Sequence, residues 1–185
     1  MIQIILQIKM LLGKNITVYE DVTKYRLNKD FWLDEIECYH RLKSCEQVPE
    51  LISSNQEELS ITTPYCGESL FILTAVKKNK NIPIDDPVSQ IVNFINECKK
   101  NNIVHLDCHP GNVLVKDRKL YIIDFEKVAI DNKTSSAKCN KKYKKFIANG
   151  GWNWIINRYT EYFKEFDNYI WFNEHILQKG IEKYG

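Results

Sequence analysis

The sequence carries almost no excess charge: 26 Lys and Arg stand against 24 Asp and Glu, leaving +2 over 185 residues. A chain so balanced offers no global field to a nucleic acid or an anionic membrane. Arginine is scarce, 4 residues against 22 lysines, a skew that follows from an AT-rich coding sequence rather than from a chemistry. The six cysteines (Cys38, Cys45, Cys66, Cys98, Cys108, Cys139) form no CxxC pair and no regular spacing. That argues against a zinc ribbon or a disulfide scaffold and fits a reducing compartment. No internal repeat is visible. The apolar start, Met1 to Leu12, carries Gln3, Gln7 and Lys9 without a basic leader, so it reads as a strand and is too short to span a bilayer.

What is present is ordinary for a folded domain. A hydrophobic fraction of 44% with 27% charged residues suits one well-cored unit, or two small lobes sharing a cleft. Alternation predicts strands over 2–11 and 16–22, joined by a turn at Gly13-Lys14-Asn15. Asp30 is a candidate N-cap for a helix through Lys43, with Phe31, Ile36, Tyr39 and Leu42 as its apolar stripe. Val48–Ile52 and Leu59–Thr62 read as a hairpin around a turn at 53–58. Pro64-Tyr65-Cys66-Gly67 then breaks the pattern as a hinge. A loop is expected over 77–87 and a helix over Val88–Lys100. A compact unit follows, with strands at 103–105, 113–115 and 120–123 around a loop at 106–111. The basic segment 132–145 is expected to be exposed. The aromatic-rich remainder, including Trp152, Trp154, Tyr159, Phe163, Phe166, Tyr169, Trp171 and Phe172, has helical periodicity and reads as core.

The chemistry concentrates in His105-Leu106-Asp107-Cys108-His109-Pro110-Gly111-Asn112, followed by Ile122-Ile123-Asp124-Phe125-Glu126. A carboxylate on a loop, an amide five residues on and a second carboxylate closing an apolar strand are the groups phosphoryl transfer needs: a partner for the incoming hydroxyl and hard oxygens for a cation. A transition-metal site built from His105, Asp107, Cys108 and His109 is the competing reading. Neighbouring residues point apart, which leaves few of them able to converge.

The spacing resembles the catalytic loop and metal-binding motif of the protein-kinase-like superfamily, in the form found in its aminoglycoside, choline and lipopolysaccharide kinase branch. The resemblance implies an α+β, two-lobed fold. Residues 1–66 would form a reduced N-terminal lobe and hinge, an antiparallel sheet with one helix, and 67–185 a mainly helical C-terminal lobe with the catalytic loop. It further implies an ATP- and Mg2+-dependent transfer to a hydroxyl of a protein or small molecule. Asp107 would be the base, with Asn112 and Asp124 on the metal and His105 and His109 bracing or flanking the loop. Glu35 matches the helix glutamate of the family's Lys–Glu pair. Backbone groups at Thr63, Pro64, Tyr65 and Cys66 would meet adenine, with Leu114 beneath the ring.

The chain also departs from the pattern. It has no GxGxxG loop, and Gly13 stands alone. Alternation through Ile16, Val18, Glu20 and Val22 puts Glu20 where the family has its lysine, leaving Lys9 or Lys24 to substitute. Two carboxylates facing one another would repel by ~1–4 kcal/mol. No Ala-Pro-Glu follows Glu126, so no regulated activation loop is expected. These departures predict weak nucleotide binding, a protein partner that completes the small lobe, or, as the alternative function, a pseudokinase serving as a binding module. Lys141-Lys142-Tyr143-Lys144-Lys145 is a candidate dock for an acidic substrate, against the ordinary reading of solvated surface. The expected setting is cytoplasmic, a host's cytoplasm if a virus or bacterium delivers the chain, with no nucleic acid and no membrane span.

Overall fold

The computed structural model describes residues 5–7, 21–78 and 82–164. They form a mixed fold of small antiparallel sheets and helices. The first sheet has β1 (Ile5–Gln7), β2 (Asp21–Tyr25), β3 (Ser53–Asn55) and β4 (Ser60–Pro64) in the order β1-β2-β4-β3, every pair antiparallel. The expected turn at 13–15 and the aromatics at 166–172 lie outside the described residues. The hairpin is displaced from its expected register: its first strand begins at Ser53, inside the segment read as a turn. Pro49 has no N–H for a ladder, and the stretch before it is drawn inward, where the Gln47 carbonyl accepts from Ile122 N at 2.7 Å.

Between β2 and β3 runs α1 (Lys29–Arg41). Its cap is Asn28, not Asp30: the Asn28 side chain accepts from Asp30 N at 2.8 Å and Phe31 N at 3.2 Å. Asp30 sits instead in the first turn, where its charge suits the helix dipole. The buried face is Trp32, Glu35, Cys38, Tyr39 and Leu42, while Phe31 is only half-buried. A fully buried carboxylate therefore occupies a position that the apolar stripe alone would give to a hydrophobe. Trp32 Nε1 donates to Ser60 O at 3.0 Å and pins the helix to β4.

After Pro64 the chain passes through Gly67, whose φ of 89° is left-handed and whose missing Cβ would lie 1.8 Å from the Val115 carbonyl oxygen. Only glycine fits so close an approach. It lets β5 (Glu68–Ser69) pair with β7 (Val113–Lys116), which pairs in turn with β8 (Lys119–Ile122). A π-helical turn over Ile72–Val76 follows β5. Of the expected loop, 79–81 lie outside the described residues; Ile82 and Ile84 are buried, and the Asp86 side chain caps α2 (Pro87–Lys100) by accepting from Ser89 N. β6 (Ile103–His105) pairs with β9 (Val128–Ile130).

Two helices close the described chain. α3 (Ala137–Ala148), capped by Ser136, lies in the basic segment expected to be plain surface and buries Cys139 and Phe146. α4 (Trp152–Lys164) buries Ile155, Ile156, Tyr159, Thr160 and Phe163 and packs on α2. The deepest part of the core is aromatic. Phe125 lies 5.0 Å from His105, 5.7 Å from Tyr39 and 6.3 Å from Phe94, centroid to centroid. These contacts tie α1 and α2 to the loops around Asp107 and Asp124. No described helix is long and apolar enough to cross a membrane.

Candidate functional site

Strand alternation places Val22, Lys24 and Arg26 on one side of β2 and its continuation. Facing them is Glu35 of α1, with no exposed surface. Burying an ionised carboxylate is tolerable only with close cationic partners and hydrogen bonds, and Glu35 has them. Lys24 Nζ lies 3.1 Å from Oε1, Arg26 Nε donates to Oε2 at 2.6 Å, and Phe125 N donates to Oε1 at 3.3 Å. Of the two candidate lysines named above, Lys24 is the one that the described residues bring to Glu35. Lys9 and Glu20 lie outside the described residues.

Lys24 and Arg26 also reach across to Asp124, at 2.6 and 2.5 Å. Asp124 has φ +72°, a left-handed conformation that aspartate tolerates better than most side chains but still at a cost. Arg26 continues to Glu126 at 2.5 Å; Lys127 bridges Glu126 at 2.6 Å and Asp107 at 2.8 Å; Lys142 of α3 completes the chain on Asp107. Four cations (Lys24, Arg26, Lys127, Lys142) and four carboxylates (Glu35, Asp124, Glu126, Asp107) form one neutral relay. Burial by itself raises the Asp124 carboxyl, but the charges of Lys24 and Arg26 outweigh it and hold the group well below its usual range. Asp107 follows the same logic: burial raises it, and Lys127 and Lys142 bring it below its ordinary value.

The loop itself is braced by neutral bonds. Asp107 N donates to His105 Nδ1 at 3.2 Å, so the proton of the His105 ring is on Nε2, which donates to Ile123 O at 3.0 Å. Burial pushes His105 below its ordinary pKa and keeps it neutral. Asn112 Nδ2 donates to Asp107 O at 3.0 Å, and its backbone carbonyl accepts from Ile123 N at 3.0 Å. His109 caps the short turn Pro110–Asn112 by accepting from Gly111 N at 3.0 Å. The loop and the Ile123-Asp124 segment are thereby locked together.

These contacts decide which oxygens remain. Both cations converge on Oδ1 of Asp124, and no described residue bonds its Oδ2. The Asn112 amide is oriented by its nitrogen, and no described residue bonds its Oδ1. Two hard oxygen donors of the kind magnesium takes are left over, so the donor set fits that ion. The transition-metal reading does not fit. Among the described residues no group of three His, Cys, Asp or Glu can share a metal. The Cys108 thiol is turned to the Tyr159 hydroxyl at 3.6 Å and is pushed up to about 11 by burial.

Beside this relay opens a cavity of about 380 Å³, within the size range of small-molecule sites. Lys24 and Glu35 line its charged end, Thr63, Pro64, Tyr65 and Cys66 one edge, and Val22 and Leu114 are among its apolar walls. Lys116 Nζ donates to the Tyr65 carbonyl at 2.8 Å and sits 5.7 Å from the centre of its ring, fixing that edge. The sequence reading missed Arg26 and Lys127, and it named Lys142 only within a candidate dock for an acidic substrate, not as a partner of Asp107. The parity of β2 was the available signal for Arg26.

No family model matches the chain, and no curated protein does. Among solved structures, that of the Cydia pomonella granulovirus kinase PK-1 is similar at 16% identity and a TM-score of 0.49. The likeness covers 70% of this chain and 58% of that one. This chain spans a little over half the length of that protein.

Proposed function

We propose that the chain is a phosphotransferase of the protein-kinase-like type, moving the terminal phosphoryl group of ATP to a hydroxyl of a protein or small molecule. One observation carries the reading: Lys24 bridges Glu35 and Asp124 at 3.1 and 2.6 Å. Such an enzyme needs a Lys–Glu pair to orient nucleotide phosphates, and this contact supports giving that role to Lys24 and Glu35, although the sequence has Glu20 near the expected lysine position. In this reading residues up to Cys66 are the small lobe and the hinge, and Gly67 opens the large lobe.

The adenine would lie in the 380 Å³ cavity, against Leu114 and the edge formed by Thr63–Cys66, with its phosphates toward Lys24. Asn112 Oδ1 and Asp124 Oδ2 would hold a magnesium ion, whose charge offsets that of the phosphate oxygens. Asp107 does the proton work. The acceptor hydroxyl gives its proton to an Asp107 oxygen, and its own oxygen bonds to the terminal phosphorus. The bond from that phosphorus to the bridging oxygen breaks, and ADP leaves with the electron pair. Lys127 and Lys142 keep Asp107 ionised so that it can accept. His105 and His109 act on loop shape, by the bonds described above.

Magnesium and ATP together should raise the melting temperature of the parent protein, by the equivalent of ~2.7 kcal/mol at a hundredfold excess over Kd, and Asp124→Asn should lose that gain. Identical melting of the parent protein with and without nucleotide sinks the proposal. Labelled phosphate should pass from ATP to an acceptor in the parent and not in Asp107→Ala. Transfer that survives this substitution removes Asp107 from the role of base.

A further inference from the structure

A second cavity, of about 240 Å³, opens on the other side of Asp107, between the catalytic loop, α3 and α4. Asp107 is the one carboxylate among its lining residues, which include the cations Lys142, Lys145 and Arg158. Lys142 is already spent on Asp107. Lys145 and Arg158 have no carboxylate partner among the described residues, whereas the other three arginines and several lysines do. The Arg158 guanidinium sits over the Trp154 ring, 5.0 Å from its centre, an arrangement that helps order it while leaving N–H groups for a ligand. Lys142 and Lys145 are three residues apart and so share a face of α3. Lys141 and Lys144 of the same basic run do not line the cavity. Phe146, Trp154 and Ile155 supply apolar wall.

We infer that this cavity is the acceptor subsite and that its occupant is a small alcohol carrying an anionic group, a phosphate or a carboxylate. The hydroxyl faces Asp107 and the anion faces Lys145 and Arg158. The inference rests on the phosphotransferase reading and adds to it the class of substrate. Charge selects the class. With Lys142 neutralised by Asp107, two unpaired and solvent-exposed cations remain at the rim of the cavity, and they favour an anionic acceptor over a cationic or neutral one. Volume selects the size, since about 240 Å³ lies below the ~300–1,000 Å³ of sites that enclose drug-sized ligands.

The test is calorimetric titration of the full chain without nucleotide, at low salt, using glycerol, glycerol 3-phosphate and glycerate. The first two differ only in the phosphate, and the third carries a carboxylate in place of the phosphorylated CH2O group. Glycerol 3-phosphate or glycerate should bind at least about tenfold tighter than glycerol, and whichever binds tighter identifies the anion. Lys145→Glu and Arg158→Gln should each weaken that binding by about tenfold, and Lys144→Glu, the same charge change one residue outside the cavity, by less than about twofold. Stabilisation by magnesium-ATP should be unchanged in all three variants, which also shows that they fold. Equal affinity for glycerol and both anions overturns the inference. So does an equal loss in Lys144→Glu, which would mark a diffuse basic surface, or binding of an acidic peptide but of neither small anion. A parent protein that ignores magnesium-ATP strikes the phosphotransferase reading instead, and the titration detects the anion independently of it.

Discussion

The two ends of the ion-pair relay are built from the same chemistry and differ in what surrounds them. At the Asp124 end the cations come from β2 and the residue that follows it, and are shared with Glu35. The Arg26 side chain is 5% exposed and that of Glu35 is 0%. At the Asp107 end the cations come from the Lys127 segment and from α3, and the Lys142 side chain is 32% exposed. A buried pair cannot lose a partner cheaply, because the remaining charge has neither water nor a counter-ion. A pair at the rim can, because water replaces the partner. The Asp124 end is therefore part of the fold as well as of the site, while the Asp107 end is free to be tuned.

The largest expected effect follows directly. Arg26→Met keeps most of the side-chain volume but leaves Glu35, Asp124 and Glu126 short of a cation. It should cost ~3–5 kcal/mol in chemical denaturation, as breaking a buried pair does. Lys142→Met should cost less than ~1 kcal/mol in the same assay. Comparable losses in the two variants would erase the distinction drawn between the ends.

His105 joins the two ends and gives the intermediate effect. Its Nδ1 accepts from Asp107 N and its Nε2 donates to Ile123 O, next to Asp124, an arrangement that only the neutral ring can make. Burial holds its folded pKa below the ordinary 6.5. Below pH 6.5 the unfolded chain takes up a proton that the folded chain refuses. Stability from this residue is therefore full above 6.5 and falls as the pH drops toward the folded value, by at most about 1.4 kcal/mol per pH unit. Asp107 and Asp124, both held below 3.8, contribute stability that is lost only at lower pH. Neither of these two aspartates contributes to denaturation between pH 7.5 and 5, where the imidazole does. His105→Gln should flatten the slope in that window, and an unchanged slope would assign it to another group.

How much of this could be read beforehand depended on range. The Asp107–Asn112–Asp124 spacing is local, within 18 residues, and alternation and loop length bring such groups together whatever the rest of the chain does. The partners of those groups are not local. Arg26 meets Asp124 across 98 positions and Glu126 across 100, and no periodicity says which of 26 basic residues will do so. Arg26 was nevertheless accessible in part. The parity that put Glu20 on the apolar face of the expected strand continues through Val22, and following it for two more steps finds Lys24 and Arg26. α3 was hidden for another reason. Cys139, Tyr143 and Phe146 have helical spacing, but they sit in a run dominated by lysine, which is the composition of a solvated surface. Its inward face carries Lys142, a charge that is placed there because Asp107 is opposite.

The smallest effect concerns rate rather than stability and separates the two ends most finely. Lys142 and Lys127 both bond Asp107 and offset the rise that burial causes, keeping the carboxyl below its ordinary value. Removing Lys142 leaves Lys127 in place, so Asp107 stays paired but its carboxyl moves upward. A base must be ionised to accept a proton, and the acidic limb of kcat/KM against pH reports when it is. In Lys142→Met that limb should move to higher pH while the plateau changes little, because Asp107 keeps its loop, its backbone bonds and one lysine. Lys24→Met, at the other end, should lower the plateau and leave the limb where it was, since Lys24 touches Asp124 and Glu35 but not Asp107. A limb that moves in Lys24→Met and stays fixed in Lys142→Met would reverse the division of labour between the two aspartates.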